Sequence, residues 1–147
     1  MSTLPSTDPQ AELDVVVYGG HGDLAQRKLF PSLYELYRDG HIPERARVVG
    51  VGRQHLTTEE FRAMMAVAGE KGTTAAEYNP EVAARFLQHV TYREVDGADA
   101  TNAATMRDFF DDGPNRPRIF YLATPPRLFA PICQALGSNG FINPASR

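Results

Sequence analysis

The sequence predicts an α/β fold, a doubly wound and mostly parallel sheet that is incomplete at its C-terminal edge. Three observations carry this reading. Short, almost wholly apolar runs alternate with segments of helical spacing along the chain. The first of these runs feeds a glycine-rich turn, "YGGHGDLA", that opens straight into a helix. No unit of about 20 to 50 residues repeats, and strands alternating with helices argue for one parallel sheet wound with right-handed crossovers.

The elements follow in order. Leu13 to Tyr18 is the first strand, and residues 23 to 39 carry Ala25, Leu29, Leu33 and Leu36 on one stripe until Gly40 ends them. Pro31 lies inside that stripe and, lacking an N–H, is expected to kink the helix or loosen its first turns. Arg47 to Gly52 is the second strand. Thr57 and Glu60 stand in capping-box spacing, flanked by Leu56 and Phe61 as a hydrophobic staple, so a helix starts near residue 58. "AGEKGTTAAEY" reads as a mobile connection, after which Asn79 and Pro80 cap and begin a short helix with Val82, Phe86 and Leu87. "VTYREV" from Val90 is the third strand. Residues 101 to 112 form a helix whose core contacts are Ala104, Phe109 and Phe110, and "GPNRP" stops it. Arg118 to Ala123 is the fourth strand, followed by Pro125, Pro126 and a helix with Leu128, Ile132, Ala135 and Leu136.

Composition sets the class. A chain of 147 residues with 42% hydrophobic content is about one domain with a real core, preceded by a flexible segment over residues 1–12. The net charge of −3 gives no broad reason to expect nucleic acid. Of 15 basic residues only Lys28 and Lys71 are lysines. Cys133 is the single cysteine, which excludes an intrachain disulfide and a cysteine metal cluster, and fits a reducing compartment. The first residues lack a basic segment followed by an apolar run, and no stretch approaches about 18 consecutive apolar residues. A cytoplasmic protein with no membrane partner and no metal is expected.

Gly19, Gly22 and Ala25 form G-x-x-G-x-x-A between the first strand and helix, a shortened relative of the dinucleotide fingerprint. One glycine serves the turn, one lets a pyrophosphate approach the backbone, and the small residue fits where helix meets strand. His21 either meets a phosphate or occupies a solvent-facing turn. Asp23, negative beside a proposed pyrophosphate, is expected to cap or orient the first helical turn. Lys28 either touches a ligand or is a solvated helical lysine. At the end of the second strand, where an NAD site has an Asp or Glu for the ribose 2′-OH, this chain offers Arg53 and Gln54. An arginine there pairs with a 2′-phosphate, which points to NADP.

"GGHGDLAQRKLFPSLYELYRDGHIP", "VVGVGRQHLT" and "RIFYLATPP" together resemble the N-terminal coenzyme domain of the glucose-6-phosphate dehydrogenase family, over essentially residues 13 to 142. The resemblance implies a Rossmann-like domain over 13–147. It places Gly19, Gly20, His21, Gly22, Asp23 and Leu24 in the coenzyme loop, and Arg53 and Gln54 at the adenosine 2′-phosphate. Ala123 and Pro125 would border the coenzyme near its ribose, and Lys28 would lie toward the substrate, glucose 6-phosphate. His21 stands where relatives often carry Ser or Thr. The implied reaction oxidises the C1 hydroxyl of β-D-glucose 6-phosphate to 6-phosphoglucono-δ-lactone, with hydride passing to NADP+.

Relatives continue with Glu-Lys-Pro and later an Asp-His-Tyr-Leu-Gly-Lys stretch that supplies substrate contacts and the base, whereas these residues run to "GFINPASR". The resemblance therefore implies a fragment without the substrate domain and without a catalytic residue of its own, inactive alone, from a parent that is a homo-oligomer. A short-chain reductase needs Tyr-x-x-x-Lys, and none of Tyr18, Tyr34, Tyr37, Tyr78, Tyr92 or Tyr121 has lysine four positions later. A freestanding, non-catalytic nucleotide-binding module is the alternative. In the common strand order the fourth strand pairs with the first on one side and leaves an apolar edge open on the other, which predicts self-association.

Overall fold

The computed structural model describes residues 11–74 and 76–147. The first ten residues, most of the expected flexible segment, lie outside these. Four strands, β1 (Glu12–Tyr18), β2 (Arg45–Gly52), β3 (Val90–Glu94) and β4 (Arg118–Leu122), form one parallel sheet in the order β3-β2-β1-β4. Val15 pairs with Val48 on one side and with Ile119 on the other. The chain winds outward from β1 to β3 and then returns to the far side of β1. That reversal opens a crevice above the C-terminal ends of β1 and its neighbours.

β1 has no polar alternation because both faces are covered. Val15 and Val17 pack with Phe30, Tyr34, Phe61 and Phe86, whereas Val16 and Tyr18 pack with Phe110, Ile132 and Phe141. After Gly22 the chain makes a π-helical turn, Ala25–Leu29, and then α1 (Phe30–Arg38), with Pro31 in the first turn of α1. The proline has no N–H for the α-helical ladder, and the wider π turn precedes it where the sequence predicted loosening. Gly40, at φ 80°, ends the helix.

α2 (Thr58–Gly72) begins at the expected capping box, with Glu60 N–H on Thr57 Oγ1 and Thr57 N–H on Glu60 Oε1, both 3.1 Å. It continues through "AGEKG", so the connection starts at Thr73 instead of Ala68. Packing overrides the two glycines, because Gly72 lies against Pro31 and leaves no room for a side chain there. α3 (Pro80–Leu87) is capped by Asn79, whose Oδ1 accepts from Glu81 and Val82.

The segment expected as one helix over 101–112 is broken into α4 (Ala100–Ala103), a 3-10 turn over Ala104–Met106, and α5 (Arg107–Asp111). Ala103 and Met106 are the buried contacts with Phe109 and Phe110, and Ala104 is only half-buried. The rotation introduced by the tighter turn moves the apolar stripe off its ideal spacing. After β4, a 3-10 turn, Pro126–Leu128, leads into α6 (Phe129–Ser138), which buries Ile132, Ala135 and Leu136.

The outer edge of β4 is less open than expected. Arg147 N–H donates to Arg118 O at 2.7 Å and Phe120 N–H donates to Arg147 O at 2.9 Å, so the last residues lie along the first half of that edge. Asn143 folds this tail back by donating to Pro114 O and Arg116 O, 3.0 Å each, and accepting from Ala145 N–H at 2.9 Å.

At the N-terminal end of the sheet, Asp14 is fully buried. It accepts from Arg47 Nε at 2.8 Å and Nη2 at 2.7 Å, and from Arg116 Nε at 2.7 Å. This network ties β1, β2 and the residues leading into β4 together, opposite the crevice.

Candidate functional site

The crevice is a cleft of about 570 Å³ over the C-terminal ends of the strands. Its floor is the Gly19–Gly22 turn. Gly19 holds φ at 76°, donates to Val51 O at 2.8 Å, and approaches β4 so closely that a Cβ would stand 2.5 Å from Ala123 O. Gly22 has a different surrounding: a Cβ there would meet only Gly19 O, at 3.1 Å, which leaves its other side open. Ala25 is fully buried where the helix meets the sheet, as its small size requires. The first helix starts just after Gly22, and its leading N–H groups lack intrahelical acceptors. A helix start of this kind favours an anion.

One wall is the loop after β2. Tyr92, on β3, donates its hydroxyl to Gln54 O at 2.7 Å and so pins this loop. Burial, reinforced by the nearby Glu94 charge, pushes the phenol of Tyr92 up to about 12, which keeps it a donor at neutral pH. Arg53 and Gln54 both line the cleft, and Arg53 is exposed with no hydrogen-bond or ion-pair partner among the described residues. The other wall is the segment after β4, with Ala123, Thr124, Pro125 and Arg127.

His21 lies between the walls with its ring over Gly52. Its Nδ1 is buried without a partner, and so is Thr124 Oγ1. Buried polar atoms normally find partners, so two orphans beside one cleft fit a polar ligand supplying the missing bonds. Gly turn, helix start, orphaned atoms and unpaired arginine together fit the phosphates and ribose of a dinucleotide.

Not every expected site residue lines the cleft. Gly20 is buried beneath it, where a Cβ would stand 2.9 Å from Gly50 Cα. Leu24 is exposed and outside the lining. Asp23 does not cap the helix. Its carboxylate takes Arg27, at 2.8 Å from Nε and 2.7 Å from Nη2, and the turn is held instead by Gln26, whose Nε2 donates to His21 O at 2.5 Å. The ion pair answers the repulsion expected of a lone carboxylate near an anion. Lys28 lines a separate concavity of about 450 Å³ between the first helix and α2, together with Lys71.

Asp96, Gly97 and Ala98, which follow β3, also border the cleft and were missed from sequence. Gly97 packs against the Tyr18 ring with no space for a side chain. The usable signal was positional, since ligands of such sheets sit beyond the carboxyl ends of the strands and β3 ends there. Among the described residues no three His, Cys, Asp or Glu side chains are grouped to hold a metal ion, and no helix is long and apolar enough to cross a membrane.

Sheet order, glycine turn and cleft define a dinucleotide-binding module of the Rossmann type. The profile of the family described as "Glucose-6-phosphate dehydrogenase, NAD binding domain" matches residues 16–147. The chain belongs to the glucose-6-phosphate dehydrogenase family through this NAD(P)-binding domain. It is 35% identical to the glucose-6-phosphate 1-dehydrogenase of Mycolicibacterium smegmatis, over 100% of this chain and 30% of that protein.

Its fold superposes on a glucose-6-phosphate dehydrogenase solved in complex with its substrate glucose 6-phosphate, with a TM-score of 0.80 at 23% identity, covering 99% of this chain and 30% of the other. The Mycobacterium avium enzyme gives a TM-score of 0.81 at 24% identity, over 93% of this chain and 28% of that one. The chain thus spans about 30% of the length of the relatives it matches.

Proposed function

We propose that this chain is the NADP-binding part of an oxidoreductase that converts D-glucose 6-phosphate to 6-phosphoglucono-1,5-lactone. NADP+ supplies the hydride acceptor for oxidation at C1, and the hydroxyl proton goes to a general base. Among the 147 residues none is assigned as that base. Their work is binding and orientation. The Gly19–Gly22 turn and the helix start receive the pyrophosphate, with His21 beside it, while Ala123 and Pro125 border the coenzyme near its ribose. A substrate role for Lys28 rests on the family resemblance, because it lines a different concavity.

The single observation that carries the coenzyme choice is Arg53. It directly follows β2, without a hydrogen-bond or ion-pair partner among the described residues, at the position where an NAD site places a carboxylate for the ribose 2′-OH. A charge-assisted bond to the 2′-phosphate contributes about 1.5 to 3 kcal/mol, or roughly 10 to 150-fold in affinity. Titrating both coenzymes into wild type and Arg53→Ala tests this. NADP should weaken by that factor with NAD nearly unchanged, and equal losses would overturn the assignment. The isolated 147 residues are expected to bind coenzyme without oxidising glucose 6-phosphate.

A further inference from the structure

The cleft holds a second arginine that the coenzyme assignment leaves unused. Arg127, like Arg53, lines the cleft and makes no hydrogen bond or ion pair with any described residue. Most other arginines are engaged: Arg27, Arg47, Arg62, Arg93 and Arg116 all hold carboxylates.

The backbone at Arg127 is set by its neighbours. Pro125, at φ −56° and ψ 143°, turns the chain off β4, and Pro126 opens the 3-10 turn. Leu128 N–H closes the turn on Pro125 O at 2.9 Å, and its side chain packs against the core. A partnerless guanidinium on a proline-fixed turn has little backbone entropy left to lose on meeting an anion. Thr124 on the same loop also lines the cleft, and its Oγ1 has no hydrogen-bond partner among the described residues.

Strand order separates the two arginines. Arg53 follows β2 and Arg127 follows β4, with the glycine turn after β1 between them. A dinucleotide with its adenosine 2′-phosphate on Arg53 and its pyrophosphate over the glycine turn carries its second nucleotide toward β4. We propose that Arg127 binds the phosphate of the nicotinamide-bearing half, so that each half of the coenzyme has its own arginine. This rests on the reading of the cleft as a dinucleotide site.

The test compares three ligands on the 147-residue chain by calorimetry. Adenosine 2′,5′-bisphosphate carries the Arg53 phosphate but no nicotinamide half, NAD carries the nicotinamide half but no 2′-phosphate, and NADP carries both. Arg127→Gln should weaken NADP and NAD alike, by roughly tenfold or more, and leave the bisphosphate unchanged. Arg53→Ala should do the converse, weakening NADP and the bisphosphate while sparing NAD. Arg127→Lys should recover part of the loss, since a point charge replaces the planar fork.

If Arg127→Gln leaves all three affinities unchanged, Arg127 is a solvated surface residue and the proposal fails while the cleft assignment stands. If it weakens the bisphosphate as much as NADP, the guanidinium serves the adenosine half and the proposal also fails. Absence of binding by all three ligands to wild type overturns both together. Arg127 is exposed, so unchanged thermal melting should confirm that the variants fold.

Discussion

The His21 ring lies over Gly52 so closely that a methyl group on Gly52 would fall onto Nδ1. The last residue of β2 is therefore glycine because of the side chain it faces across the cleft. Gly52→Ala should force the ring aside and press on the Tyr92 hydroxyl, which would stand 3.0 Å from the new Cβ. Overpacking of this kind costs about 1 to 3 kcal/mol. His21→Ala in the same chain should restore most of the loss, giving a clear coupling in a double-mutant cycle by urea unfolding. Additive effects would show that the ring does not occupy that space.

The buried carboxylate of Asp14 holds Arg47 and Arg116, with Arg118 Nε 3.8 Å away. Removing it takes the one fully buried counter-charge from Arg116, Arg118 and the half-buried Arg47, leaving only the more exposed Glu12 and Asp112. Losing a buried partner of this kind typically costs about 3 to 5 kcal/mol. Asp14→Ala should lose stability on that scale, and Asp14→Asn, which keeps the shape, should lose less. Asp108, although paired with Arg93 at 2.8 Å, is 66% exposed, and Asp108→Ala should cost under about 1 kcal/mol. Similar losses for Asp14→Ala and Asp108→Ala in denaturant melts would contradict this account.

Local chemistry made most of the fold legible in the sequence. The Thr57–Glu60 box and the Asn79–Pro80 start are written in adjacent residues, and the apolar run of β1 announces a strand covered on both faces. What escaped depends on distant partners. Gly69 and Gly72 signal a loop until α2 is seen packed on Pro31, and Asp23 looks like a cap until Arg27 takes it. In the cleft, Gly22 and Arg53 were readable from the turn and strand end that carry them, and Ala123 only from the family resemblance. Asp96 and Arg127 were not, because their place depends on which strands lie side by side.

His55 and Glu94 provide a pH-dependent contact beside the cleft. His55 Nδ1 lies 2.6 Å from Glu94 Oε1, and the hydrogen bond and charge of Glu94 raise the imidazole above its ordinary 6.5. A raised histidine contributes its stabilising contact fully below the ordinary value and loses it as pH rises through the elevated one. An NMR titration should place the His55 midpoint above 6.5, with Glu94→Gln and high salt each returning it toward that value. A midpoint indifferent to Glu94→Gln would remove the ion pair from the account.

Asn143 should control whether the edge of β4 is available to other chains. Its amide holds Pro114 O and Arg116 O while its carbonyl oxygen accepts from Ala145 N–H, and this places Arg147 against Arg118 and Phe120. Ile119 and Tyr121 are exposed on the same strand, 40% and 38%. An uncovered edge with apolar side chains is a template for strand pairing. Asn143→Ala should free the tail, so that the Phe120 and Arg147 amides exchange roughly tenfold faster, as a local opening with little global destabilisation. Sedimentation should then show association that grows with concentration, beyond that of wild type. If the Phe120 amide exchanges equally fast in both proteins, the tail does not cover the edge.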